Sequence, residues 1–365
     1  MKELLRGTFF DRAGRGRRGP TSPTRAEVIE AFNRLLHRNP ESERAIDFHL
    51  RHGTVADLYV EIAESAEYKS KARSSPFYHY NSLIDAEAII LGHDNPDRRS
   101  VEGHLVNFLG VAMNVKFMST VHHLSGAVSE VPIPMNWHAD MAEWAAALRA
   151  VDLAKDEFVV IELGCGWGCW MNNTAVAARR RGLKVHAIGV EADAAHVQFA
   201  REALATNGIR TEEYTLHQGV AASQSGKALF PKPDVQGTHW GSEPIFDAAP
   251  DVAARALASG EFDEVAIIPM AEVIADRRRI DLLHMDIQGG EARLVHDCLS
   301  LFSERVAYIV IGTHSRQVEG QLFGDLQAAG WLLEIERPAI LALGEEGPVT
   351  RSDGVQGWRN VRLTR

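Results

Sequence analysis

Acidic residues and glycines crowd the ends of three apolar runs in this chain. In VVIELGCGWGCW (159–170), Glu162 precedes Gly164, Gly166 and Gly168. KVHAIGVE ends on Glu191, and EYTLHQG ends on Gln218 and Gly219. Glycine permits a positive φ and lets a ligand approach the backbone without a Cβ in the way. A dinucleotide site would read G-x-G-x-x-G and would seat a pyrophosphate on the next helix N-terminus. Here the spacing is G-x-G-x-G, and the Glu162 carboxylate would repel that phosphate. The same carboxylate suits a cation. S-adenosylmethionine carries an ammonium and a sulfonium and no phosphate, so it is the expected cofactor. Glu162 and carbonyls of the glycine loop are expected to accept from the ammonium. Glu191 is expected to accept from both ribose hydroxyls, with Gln218 and Gly219 along the adenine edge.

Methyl transfer to oxygen requires an acceptor held in line with the C–S bond, about 3–3.5 Å away. It also requires a base whose pKa lies near the working pH. Asp286 ends the run IDLLHMDI, and His314 lies in GTHS after VAYIVIG. His314 is the expected base and Asp286 the expected orienter or ligand of the acceptor hydroxyl. Asp286 also suits a helix cap, His314 an ordinary loop histidine, and Glu291 a structural role. THWGSEP offers His239 and Trp240 to cover adenine or grip a sugar face, or to anchor a loop. Trp137 and His138 read as the staple of a helix start. His122 and His123 would point opposite ways in a strand. The 16 histidines show no H-E-x-x-H spacing, so no metal is expected. Cys165, Cys169 and Cys298 have no zinc spacing and read as reduced thiols.

These residues need a scaffold that ends strands side by side. From 157 onward, strand and helix patterns alternate: FVVIEL, a helix over 169–181, KVHAIGVE, a helix capped by Asp193, and EYTLHQG. After a variable stretch (220–278) come IDLLHMDI, a helix over 290–301, VAYIVIG, a helix over 318–329 and WLLEIER, with GWRNVRLTR as a candidate last strand. Such alternation predicts an α/β, Rossmann-like sheet, mostly parallel, with helices on both faces. Ligands of that sheet lie beyond the carboxyl ends of its strands. Four segments are expected: a flexible basic arm (1–22), a small all-α helical module (23–75), a connecting region (76–138) and the catalytic domain (139–365). In the module, Thr24 with Glu27 has capping-box spacing, and Thr54 with Asp57 starts a third helix. The module is expected to close near Ser70. Asp140 and Glu143 open the helix that feeds the first strand.

The 365 residues are 45% hydrophobic and 24% charged, an ordinary globular composition. A net charge of −10 disfavours nucleic acid as a partner. No run approaches the ~18 apolar residues of a membrane span, and no leader pattern follows Met1. A cytoplasmic protein without an integral membrane segment is expected, its oligomeric state left open.

VVIELGCGWG, GVEAD, IDLLHMDIQGGEARLV and YIVIGTHSRQVEGQLF together resemble the FkbM-type family of methyltransferases that use S-adenosylmethionine. The resemblance spans roughly 155–335. Its most specific piece is Asp286–Ile287–Gln288–Gly289–Gly290–Glu291, similar to that family's D-V-E-G-x-E signature. It implies O-methylation of a sugar hydroxyl, in a polysaccharide, a lipopolysaccharide or a glycosylated metabolite. The chain departs at Gln288, where the family commonly has glutamate. LLHRNPES and SAEY resemble a helical module found beside glycan-modifying enzymes. Two rival readings are kept. One is methylation of nitrogen or of a protein side chain, where a nitrogen already neutral would not need a base; the other is a non-catalytic module that binds the cofactor or nothing and recruits glycan-assembly enzymes.

Overall fold

The computed structural model describes residues 22–36, 38–74, 76–233, 235, 238–345 and 347–364. The expected basic arm therefore lies outside the described residues but for Ser22. Two compact units divide between Ile89 and Ile90.

In the first unit the helices Arg25–Leu36, Glu43–His49 and Val55–Glu64 correspond to the three expected ones. Thr24 and Glu27 bond reciprocally: the Thr24 amide donates to Glu27 Oε2 (2.8 Å) and the Glu27 amide to Thr24 Oγ1 (3.3 Å). Val28, Phe32, Ile46 and Leu58 form the unit's core. The chain does not close near Ser70. A fourth helix, Ala66–Ser74, continues it, started by Ser65 Oγ, which accepts from the Tyr68 amide. That helix is mostly polar, so it gave no apolar periodicity to read.

The second unit is built on a twisted sheet. Its elements are α1 (Met141–Leu153), β1 (Glu157–Leu163), α2 (Cys169–Arg180), β2 (Lys184–Glu191), α3 (Ala194–Thr206) and β3 (Tyr214–Gln218). They continue with β4 (Leu282–Met285), α4 (Glu291–Arg305), β5 (Tyr308–Thr313), α5 (Arg316–Ala328), β6 (Leu332–Arg337) and β7 (Gly354–Arg359). The strand order is β6-β7-β5-β4-β1-β2-β3. All neighbours from β5 to β3 are parallel, and β7 runs antiparallel between β5 and β6. The order reverses between β1 and β4, which is the switch point where such sheets bind ligands.

Strand alternation decides which face each residue serves. Val159, Ile161 and Leu163 join Leu283 and Met285 in the core under α4 and α5, against Val295, Leu322 and Leu326. Phe158, Val160 and Glu162 turn to the other face, toward α1 and α2. Asp140 caps α1 through the amides of Ala142 and Glu143. It also pairs with Arg337, and both side chains are buried.

Three parts differ from the expectation. The last strand is Gly354–Arg359, so only the first residues of GWRNVRLTR are extended. A hairpin, Ile340–Gly344 with Gly347–Ser352, precedes it. The variable stretch folds into a side sheet, in which Val220–Ala222 runs parallel and Gly226–Pro231 antiparallel to Phe262–Pro269. Among the described residues no helix is long and apolar enough to cross a membrane.

Candidate functional site

A cavity of about 1160 Å³ opens at the carboxyl ends of β1, β2 and β4. Of the residues singled out from the sequence, Gly164, Gly166, Glu191, Gly219 and Asp286 line it. Glu162, Gly168, Gln218 and His314 do not.

The glycine loop has its own reasons to lack side chains. Gly164 has φ +70°, and a Cβ there would sit 2.4 Å from the carbonyl oxygen of Asp286. The tips of β1 and β4 thus touch backbone to backbone. Gly166 has φ +52°, and its Cβ would lie 2.7 Å from the Trp240 ring. Gly168, one step further on, is the N-cap of α2.

Glu162 is placed otherwise than expected. It faces α2, not the cavity, and is 3% exposed. Its Oε1 accepts from the Trp170 amide (3.1 Å) and its Oε2 from the Met171 amide (2.8 Å). The carboxylate thus meets the positive end of a helix whose glycine N-cap has no side chain to offer. Burial raises its pKa to about 7, against the opposing pull of His284 and the two amides. Gln218 is exposed at the end of β3 and also misses the cavity.

Glu191 does reach the cavity. Its Oε2 accepts from the Gly166 amide (2.8 Å) and its Oε1 from the Asp193 amide (2.8 Å). Each carboxylate oxygen still has a lone pair for a further donor. Beside it, His196 stacks on Trp240, with ring centroids 4.1 Å apart and planes at 21°. Trp240 is 39% exposed at the cavity edge.

Asp286 and His314 come together as the sequence suggested, with Asp286 Oδ1 3.2 Å from His314 Nε2. Gln288, whose own φ is +60°, donates Nε2 to the same oxygen (3.0 Å). On its other side, His314 Nδ1 lies 3.0 Å from Glu291 Oε1. Glu291 is fully buried and accepts from the amides of Ile287 and Gly289, so it also braces the β4–α4 loop. Burial disfavours a charged imidazole, but the two flanking carboxylates outweigh it and raise the His314 pKa to about 10. Burial likewise works against the Asp286 charge, yet the contact with His314 holds that carboxyl below its usual range. A histidine in this state is an imidazolium at neutral pH and has no lone pair with which to take a proton. Asp353, also on the cavity wall, is shifted upward by burial.

Sequence reasoning missed Asp353 and the stack of His196 on Trp240. His196 lies in the first turn of α3, five residues past the strand tip that Glu191 marks, a position that could have been inspected.

An open sheet of this order, with an antiparallel β7 inserted between β5 and β6, is the Rossmann-like methyltransferase fold. No family model matches the chain. A protein of Jannaschia sp. (strain CCS1) named as a methyltransferase is 44% identical over 262 residues, which cover 72% of this chain and 94% of the relative. The chain belongs to that methyltransferase family. Among solved structures, the FkbM methyltransferase of Methylobacillus flagellatus KT is 14% identical, with a TM-score of 0.36 over 60% of this chain and 55% of that one. The human methyltransferase 10 domain containing protein is 10% identical, with a TM-score of 0.34 over 76% and 98%.

Proposed function

We propose that the chain is an O-methyltransferase of FkbM type that uses S-adenosylmethionine and acts on a hydroxyl of a sugar-like acceptor. The observation that carries the reading is the meeting of Glu191 and Asp286 in one cavity, on either side of Gly164 and Gly166. The residues fit the cofactor. Glu191 retains acceptor capacity for ribose hydroxyls, and the two glycines leave the backbone open to close approach. Trp240 and His196 supply aromatic faces beside them. S-adenosylmethionine, when bound there, supplies a methyl group already activated on sulfur.

The chain's own residues do the rest. Asp286 accepts a hydrogen bond from the acceptor hydroxyl, holds its oxygen in the cavity and takes its proton as the oxygen is methylated. His314 and Gln288 fix the orientation of that carboxylate, and Glu291 fixes His314. The expected division of labour is thereby reversed: His314 is a positioning cation and Asp286 the residue that meets the acceptor. Positioning can supply much of the rate when the electrophile is already charged.

The cavity wall also bears on the acceptor. Glu243, Asp247, Asp297 and Asp353 line it together with Arg293 and Lys227. Both cations are already paired, Arg293 with Asp247 and Lys227 with Glu264. An uncharged acceptor, or one with an amine, suits this wall better than a phosphorylated sugar. The protonated state of His314 favours a second reading, transfer to a neutral amine, which needs no base.

The test is transfer from labelled S-adenosylmethionine to p-nitrophenyl glycosides and to fractionated cell-envelope glycans. Label on a neutral glycoside supports O-methylation. Label confined to amino sugars and absent from their N-acetyl forms supports the amine reading. Cofactor binding without transfer to any fraction favours the binding-module reading.

A further inference from the structure

The first unit holds a second cluster of chemically active side chains. His49 is the last residue of the helix Glu43–His49, His52 lies in the turn after it, and Glu61 is on Val55–Glu64. His49 Nδ1 and His52 Nε2 face one another at 3.3 Å. Glu61 Oε2 is 3.0 Å from His52 Nε2, and each of the three side chains offers a ligand atom within 4.8 Å of the other two. Packing fixes the aim of His49. Its ring meets Phe32 and Phe48 edge-on, with centroids 5.1 and 5.0 Å away, and stacks on His52 at 5.6 Å.

Neutral imidazoles offer a lone pair at His49 Nδ1 and at His52 Nε2, and the Glu61 carboxylate offers another. One ion bound by all three atoms uses each of them. Tetrahedral zinc with Zn–N bonds of about 2.0–2.1 Å sets its ligand atoms roughly 3.3 Å apart, the separation found between the two imidazole nitrogens. Imidazole nitrogens with one carboxylate select zinc-like ions over magnesium or calcium.

We propose that His49, His52 and Glu61 bind one divalent transition-metal ion of the zinc class, which staples the turn between two helices of the first unit. Glu61 is about half exposed, so water reaches the fourth coordination position. A helical unit this small gains stability from such a staple more than a large domain would. The proposal is independent of the methyl-transfer reading.

The experiment uses the full chain, stripped with a chelator and titrated with Co²⁺ and with Zn²⁺. The expected result is one ion per chain, visible absorption bands of tetrahedral Co²⁺, and a melting temperature that rises with Zn²⁺. His52→Gln should abolish the bands, and Glu61→Gln, at an exposed position, should weaken binding about tenfold or more. His314→Gln, in the other histidine–carboxylate cluster, should leave the bands unchanged. Three results overturn the proposal: no bands and no binding heat in the folded wild type, binding that survives His52→Gln, or loss of the bands in His314→Gln alone. A melting temperature unmoved by Zn²⁺ refutes the staple.

Discussion

The charge on His314 is open to direct test. The perturbation is His314→Gln, which keeps a polar side chain of similar reach and removes the cation. An ordinary histidine has a pKa near 6.5, and the clamp of Asp286 and Glu291 raises this one to about 10. At about 1.4 kcal/mol per pH unit, that rise corresponds to at most about 5 kcal/mol in favour of the charged form. Water at the half-exposed Asp286, 48% accessible, screens part of it, and roughly 2–4 kcal/mol is the expected net. Because the folded pKa lies above the unfolded one, this stability is fully present below about pH 6.5 and is lost as pH rises through about 10. Asp286 has the opposite sign. Its folded pKa is depressed, so its contribution is present above the unfolded carboxylate range and disappears as pH falls through its folded value.

The measurements are urea denaturation at several pH values between about 6 and 10 and the pH profile of methyl transfer, for both proteins. Wild type should exceed His314→Gln in stability at pH 6, and the gap should close toward pH 10. Wild-type kcat/KM should show no rise around pH 6.5 and should fall only as pH approaches 10. His314→Gln should retain measurable transfer, with its loss mainly in kcat. A wild-type profile that rises with an inflection between about pH 6 and 7.5, flattened by His314→Gln, would mean that the imidazole is neutral and is the base after all.

Three further outcomes are predicted. Glu191→Ala removes a charged acceptor, worth about 1.5–3 kcal/mol, so S-adenosylhomocysteine should bind roughly 10- to 150-fold more weakly by calorimetry; unchanged affinity would remove Glu191 from the cofactor site. Gly166→Ala combines a left-handed φ, costing about 1–2 kcal/mol, with a contact on the Trp240 ring. Adding Trp240→Ala should recover the contact part and leave the φ part in a double-mutant cycle, whereas strict additivity would mean the two side chains do not meet. Arg337→Ala strands the buried Asp140 carboxylate and should cost about 3–5 kcal/mol in urea denaturation; a loss under 1 kcal/mol would contradict the buried pair.

The sheet was legible because each of its elements carries a local signature. FVVIEL and VAYIVIG are apolar runs interrupted only at Glu162, as strands covered on both faces tend to be, and Asp193 and Asp140 announce the helices they cap. The side sheet was not legible, because Phe262–Pro269 and Gly226–Pro231 are half-exposed strands with mixed polarity. The site divides along the same line. Glu191 could be read from its place at a strand tip. Glu162 stands at a similar tip, but a strand points successive side chains to opposite faces. Glu162 therefore falls on the α2 side, where two amides claim it. Parity along VVIEL was visible in the sequence; which face α2 would cover was not. His314 shows a deeper reason. A histidine's proton depends on which charges surround it, and here they are Asp286 and Glu291, brought from the neighbouring strand and its loop by the β4–β5 pairing. Residue type and position singled out two side chains that the fold sets 3.2 Å apart, and the charges around His314 become visible only once the strands are paired.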